Sequence, residues 1–88
     1  MGKVFLKLKV MPTDLDVDLN SVKDKILRLN FKDVEIRDIA VKPIAFGLKA
    51  LLVLAIMPDT EGVSDRFMEE IGKIKGVESV EVEDMELL

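Results

Sequence analysis

No cysteine, histidine, tryptophan, tyrosine or glutamine occurs in this 88-residue chain. The missing cysteine excludes a disulfide framework and thiolate chemistry, which leaves the reducing cytoplasm as the expected compartment. With histidine absent too, metal binding, nucleophilic attack and proton transfer would all rest on carboxylates and lysines. Four aromatics occur, all phenylalanine, at positions 5, 31, 46 and 67, so the core must be aliphatic. The longest apolar run, Ala50 to Met57, is eight residues, far short of the roughly 20 that a membrane-spanning helix needs. Lys7 and Lys9 interrupt the N-terminal apolar pattern, so no signal peptide is read there, and Met1-Gly2 lacks the Ser or Thr at position 6 that favours myristoylation.

Basic clusters are missing as well. The net charge is −4, and the last eleven residues hold Glu78, Glu81, Glu83, Asp84 and Glu86 with no Lys or Arg. That balance disfavours direct nucleic-acid binding, which relies on grouped cations. What is present is a 49% hydrophobic, 34% charged composition. It suits one small domain with one core, and its scarcity of thermolabile residues points to a heat-adapted source.

Residues 3–10 alternate, with Val4, Leu6, Leu8 and Val10 on one side and Lys3, Phe5, Lys7 and Lys9 on the other. This predicts a half-buried strand that Pro12 ends. Asp18 is placed to cap a helix beginning near Leu19, with Leu19, Val22, Ile26 and Leu29 at helical spacing and a stop at Asn30 or just beyond. Val34, Ile36, Ile39 and Val41 begin a second strand running to a reversal at Pro43, and a third strand follows over roughly 48–57. Ser64 is the expected cap of a second helix with the stripe Val63, Phe67, Ile71 and Ile74, and Gly76 supplies its stop. Val80 and Val82 alternate with Glu81 and Glu83 in a last strand.

The order βαββαβ predicts an α+β, ferredoxin-like sandwich of a four-stranded antiparallel sheet with two helices on one face, filling residues 1–88 as a single domain. Strands one and three would be central and strand four would lie beside strand one. Lys7 and Lys9 would then face Glu81 and Glu83 across the open side.

Two chemical readings of local motifs are weak. Asp14-x-Asp16-x-Asp18 resembles the start of a calcium loop, but Leu19 stands where that loop needs glycine and Lys25 where it needs glutamate, so a turn plus a helix cap is expected. RNA-recognition modules of the same architecture stack bases on central-strand aromatics; here the third strand is aliphatic and the first offers Phe5 alone. No metal and no cofactor is therefore expected.

The stretch Pro43-Ile44-Ala45-Phe46-Gly47-Leu48-Lys49-Ala50-Leu51 sets an aromatic and a glycine at a chain reversal before the apolar run. The bland interpretation folds Phe46 onto the core. A strand apolar on both faces also leaves a stripe on the open side, which is an interaction surface for a partner or for a second copy.

At Pro43–Leu51 the chain resembles the catalytic C-terminal domain of translation elongation factor 1-beta. The resemblance continues through Met57-Pro58-Asp59 and Gly62, and closes at Val77-Glu78-Ser79-Val80-Glu81-Val82-Glu83-Asp84-Met85-Glu86-Leu87-Leu88. Leu8-Lys9-Val10-Met11-Pro12 is similar to the family's first strand and its exit, and the length suits the free-standing archaeal form. The resemblance implies a guanine nucleotide exchange factor in protein biosynthesis, with no covalent chemistry. Its partner would be elongation factor 1-alpha, in GDP-bound and nucleotide-free states.

It further implies that Phe46 is the loop aromatic that intrudes near the GTPase switch region, with Gly47 permitting the turn and Lys49 a basic position after it. Strand three would point Ala50, Leu52, Leu54 and Ile56 outward, with Leu51, Val53, Ala55 and Met57 inward. Leu52 and Leu54 then belong to the partner-binding surface. Eukaryotic members carry a penultimate lysine that reaches the magnesium and phosphate region; Leu87 stands there, so either another group acts or exchange relies on the Phe46 loop. The alternative is a ferredoxin-like oligomeric regulatory or small-ligand-binding module, which would need polar residues converging on a glycine loop.

Overall fold

The computed structural model describes Gly2–Leu88. β1 (Lys3–Pro12), α1 (Leu19–Arg28), β2 (Glu35–Ala45), β3 (Leu48–Pro58), α2 (Val63–Gly72) and β4 (Val77–Leu87) follow one another as the patterning predicts. The sheet order is β2-β3-β1-β4, with every pairing antiparallel. Val4, Leu6, Leu8 and Val10 of β1 and Leu51, Val53, Ala55 and Met57 of β3 are buried in one core with Val22 and Ile26 of α1 and Phe67 and Ile71 of α2. Both helices thus cover the same face, and the other face is open. Phe31 meets the Phe67 ring edge-on at 5.5 Å, closing the core beneath the loop that follows α1. Among the described residues no helix is long and apolar enough to cross a membrane.

Asp18 caps α1 as expected, its carboxylate accepting from the backbone N–H of Asn20 at 3.0 Å and of Ser21 at 3.4 Å. Asn30, with φ 50°, takes the left-handed conformation that ends the helical path. The N-cap of α2 is Gly62 rather than Ser64. Its φ of 89° turns the chain out of the β3 exit, and the Arg66 N–H bonds its carbonyl at 3.0 Å. Ser64 is already inside the first turn, because a glycine can make that left-handed corner and a serine cannot do so without strain. At the C-cap of α2, Lys73 Nζ lies 2.9 Å from Glu70 Oε2 and 3.6 Å from Glu69 Oε1. The Glu70 hydrogen bond, reinforced by the charges of Glu70 and Glu69, raises the Lys73 pKa above its usual 10.5.

β2 does not turn at Pro43. The strand continues to Ala45, and the reversal is the two-residue Phe46-Gly47 loop closed by Ala45 opposite Leu48. Proline lacks a ladder donor, yet β2 is an edge strand and tolerates it. Both edge strands are also bulged. Arg37 and Ile44 are the extra residues in β2, and Glu78 and Glu83 in β4, as the register shifts show. Bulges and proline discourage further strands from adding to these edges.

The Glu83 bulge corrects the expected charge pairing. Lys9 reaches both Glu81 (3.3 Å) and Glu83 (3.8 Å), whereas Lys7 stands in register with Asp84. The same bulge puts Met85 and Leu87 on the face of Leu6 and Val4.

Candidate functional site

The β2–β3 hairpin projects beyond the end of β1 and makes the molecule elongated, 42 × 22 × 17 Å. At its tip Phe46 is 99% exposed. The ring is therefore not folded onto the core. The backbone of Phe46 has φ 52° and that of Gly47 has φ 80°. Two positive values in a two-residue hairpin define the type I′ turn, whose twist matches the flanking strands and which favours Asn-Gly. Glycine at the second position meets this demand without strain, and no heavy atom lies within 4 Å of where a Cβ would stand. A phenylalanine at the first is a conformational outlier, worth about 1–3 kcal/mol of strain. The tip thus combines a strained backbone with a large apolar side chain held almost wholly in water, and among the described residues no contact compensates for either.

Lys49 is exposed just past the turn, opposite Pro43. It borders a cleft of about 350 Å³ together with Gly47, Val41, Leu15 and Val17, between the hairpin and the β1–α1 loop. Two carboxylates of this cleft are engaged by backbone: Asp14 accepts the Asp16 N–H at 2.8 Å, and Asp18 caps α1. The Asp14-x-Asp16-x-Asp18 run is thus a turn and a cap, and among the described residues Lys49 forms no ion pair. Leu15, Val41 and Ile44 are exposed apolar neighbours of this end of the molecule. Their signal in the sequence is an isolated apolar residue among acids, Asp14-Leu15-Asp16, and a strand whose apolar positions outnumber what two helices can cover.

Leu52 and Leu54 lie on the other, open face of the sheet. Phe46, Gly47 and Lys49 are brought together at the tip, and the two leucines form a separate surface further along β3. They are half-buried rather than fully exposed. Each leucine stands between cross-strand neighbours, Lys9 and Ala40 for Leu52, Lys7 and Asp38 for Leu54, and long side chains cover part of a leucine with their stems. Ala50, expected outward with them, is buried at 1% exposure. A methyl group on a central strand is too short to rise above its neighbours. Leu51, Val53, Ala55 and Met57 point inward as expected.

Leu87 occupies the far end of the sheet, 74% exposed and in register with Val4. The Leu88 N–H bonds the Lys3 carbonyl at 2.8 Å, fixing the chain there. The length of β3 separates Leu87 from the tip, about 30 Å at ~3.3 Å per residue.

A family model described as the EF-1 guanine nucleotide exchange domain matches residues 5–88. A curated protein called elongation factor 1-beta from Archaeoglobus fulgidus is 64% identical over 88 residues, covering all of both chains. Proteins of the same name from Methanosarcina barkeri (43% identity, 97% of each chain) and Staphylothermus marinus (42%, 94% of this chain and 93% of the other) are also similar. Among solved structures, the C-terminal domain of the MgtC protein from Mycobacterium tuberculosis superposes with a TM-score of 0.58 at 15% identity, over 99% of this chain and 88% of that one; this likeness concerns the fold alone. With the family's model running from the first strand to the last residue, the chain belongs to the EF-1 guanine nucleotide exchange domain family.

Proposed function

We propose that this protein promotes the replacement of GDP by GTP on elongation factor 1-alpha, acting through protein–protein contact and without covalent chemistry. The observation that carries this reading to particular residues is the strained, fully exposed Phe46 at the hairpin tip. Strain retained at a position with no compensating contact in the chain is the mark of a site whose function lies in a complex. Phe46 enters the GTPase, Gly47 permits the turn, and Lys49 offers a cation beside it. Leu52 and Leu54 supply an apolar protein-contact surface on the open face. Residues 1–88 act as one exchange domain, in the cytoplasm, with no cofactor.

Exchange follows from linkage. A factor that binds the nucleotide-free GTPase more tightly than the GDP form weakens GDP binding by the same ratio. Abundant GTP then refills the vacated site. Leu87, at the opposite end of the sheet and without charge, has no means to displace a cation, so the Phe46 tip carries the effect. Calorimetric titration of the GTPase, once stripped of nucleotide and once with saturating GDP, tests this. The stripped form is expected to bind at least about tenfold tighter, equivalent to ~1.4 kcal/mol of coupling. Equal affinities would refute the reading.

A further inference from the structure

Two turns at one end of the molecule each hold a large apolar side chain in water. One is the hairpin tip with Phe46, and the other is the loop between β1 and α1, where Leu15 is 65% exposed between Asp14 and Asp16. The hairpin and this loop are the two walls of the cleft of about 350 Å³, with Val41, Gly47 and Lys49 on one and Leu15 and Val17 on the other. The cleft exists because the hairpin outruns its cover. β1 pairs with β3 only as far as Val10 opposite Leu51. Val41 stands opposite Leu51, and Lys49 lies two residues before it, so both share the core-facing side of the sheet. That side is no longer covered beyond Leu51: Val41 is 45% exposed, whereas Ile39 on the same side is buried.

The loop wall is fixed in place. The Thr13 N–H donates to the Gly76 carbonyl at 2.9 Å, tying the loop to the corner between α2 and β4. Val17 packs onto that corner, its Cγ1 lying 3.0 Å from where a Cβ on Gly76 would stand. The Asp14 carboxylate closes a turn across Leu15 by accepting the Asp16 N–H, and Asp18 holds the first turn of α1. Leu15 is therefore carried on a segment tied down on both sides, and little ordering is left to lose when a partner covers it. With Asp14 and Asp16 beside it and Lys49 across the cleft, the leucine is an apolar centre within a charged rim, which is the anatomy of a protein contact.

We infer, resting on the exchange reading for the identity of the partner, that Leu15 is a second anchor for the GTPase: a ridge of that protein seats in the cleft beside the hairpin and covers Leu15 and Val41. Continuity selects this occupant. Gly47 and Lys49 belong both to the end of the hairpin and to the cleft, so a protein that receives the Phe46 ring also meets the mouth of the cleft. Phe46 and Leu15 then have different roles. The strained tip distinguishes the nucleotide-free GTPase from the GDP form, whereas Leu15 holds the GTPase in both. A contact made equally in both states tightens binding without altering nucleotide affinity. Leu15 thus sets how much of the factor is needed, and Phe46 how far GDP is weakened.

Calorimetric titration of the GTPase, once stripped of nucleotide and once saturated with GDP, tests this with wild type, Leu15→Ser and Leu15→Met. Leu15→Ser is expected to bind both forms at least about fivefold more weakly, because the exposed part of a leucine is no longer buried on docking. The ratio of the two affinities should stay that of wild type. Leu15→Met keeps an apolar side chain that adapts to a contact surface, so it should lose less than about twofold. Both variants should melt near wild type, since the side chain is exposed and the ties of the loop are made by other residues; this separates loss of contact from loss of folding. A Leu15→Ser variant that binds both forms as tightly as wild type would overturn the inference and leave the exchange reading intact. A loss confined to one nucleotide state, or one that Leu15→Met shares in full, would also overturn it. Equal wild-type affinities for the two forms would sink the exchange reading instead, and a Leu15→Ser loss in both would then still uphold the anchor.

Discussion

Replacing Phe46 by Asn separates strain from function at one residue. The ring is almost wholly in water, so its removal takes no packing from the core. The backbone at φ 52° is strained for phenylalanine by about 1–3 kcal/mol, whereas asparagine visits the left-handed region readily and completes the Asn-Gly pair that this turn prefers. Stability should therefore rise, by about 1 kcal/mol, which for a domain of this size moves the thermal midpoint up by about 4–8 °C. Exchange should fall at the same time by at least about tenfold, or ~1.4 kcal/mol of transition-state stabilisation. Phe46→Ala is the companion: alanine keeps most of the strain, so its midpoint should stay near wild type while exchange drops equally. Calorimetric melting and release of a fluorescent GDP analogue read the two effects. A midpoint lowered by several degrees would mean that the ring packs against the domain, and exchange preserved in the Asn variant would remove Phe46 from the mechanism.

Other expectations follow from the same geometry. Leu52→Ser with Leu54→Ser should lower stability by about 2–4 kcal/mol in denaturant melts, since each of the two half-buried leucines forfeits part of the ~1.5–3 kcal/mol of full burial; a change within about 0.5 kcal/mol would place both wholly in solvent. Leu87→Ala should leave GDP release unchanged, because the side chain is exposed at the far end of the sheet from the tip; a loss matching that of Phe46→Ala would give the C-terminus a packing role in exchange. Lys73 should titrate above 10.5 by NMR, and Glu70→Gln should bring its midpoint back down. The sign follows from the raised value: any stabilisation from this pair is present below the ordinary lysine pKa and is lost as pH rises through the raised one.

Much of this was legible because the periods are clean. Alternation in β1, the Asp18 cap and the stripes Val22–Ile26 and Phe67–Ile71 carry the fold directly, and the register of β3 puts Leu51, Val53, Ala55 and Met57 inward as read. Bulges were harder to see, though they leave a trace. In β4 the apolar positions run 80, 82, 85, 87 and in β2 they run 36, 39, 41, and each step of three marks the extra residue. Strict alternation without that step pairs Lys7 with the wrong acid, where the bulge brings it opposite Asp84. Pro43 suggests a turn because proline cannot donate to a ladder, a rule that relaxes at an edge. Ser64 lost the cap to Gly62 because the corner out of β3 demands positive φ. At the tip, Phe46 and Gly47 were recognisable by resemblance, but no propensity predicts a phenylalanine with φ of 52°. The wide separation of Leu87 and the tip required the strand order and register, and the half-burial of Leu52 and Leu54 required their neighbours.

Stopped-flow release of a fluorescent GDP analogue from elongation factor 1-alpha, with wild type and Phe46→Ala side by side, tests the central claim most directly. The account predicts that saturating wild-type protein accelerates release, and that the variant, folded and with a normal midpoint, loses at least about tenfold of that acceleration. Release that is unchanged by wild type, or accelerated equally by both proteins, would contradict it.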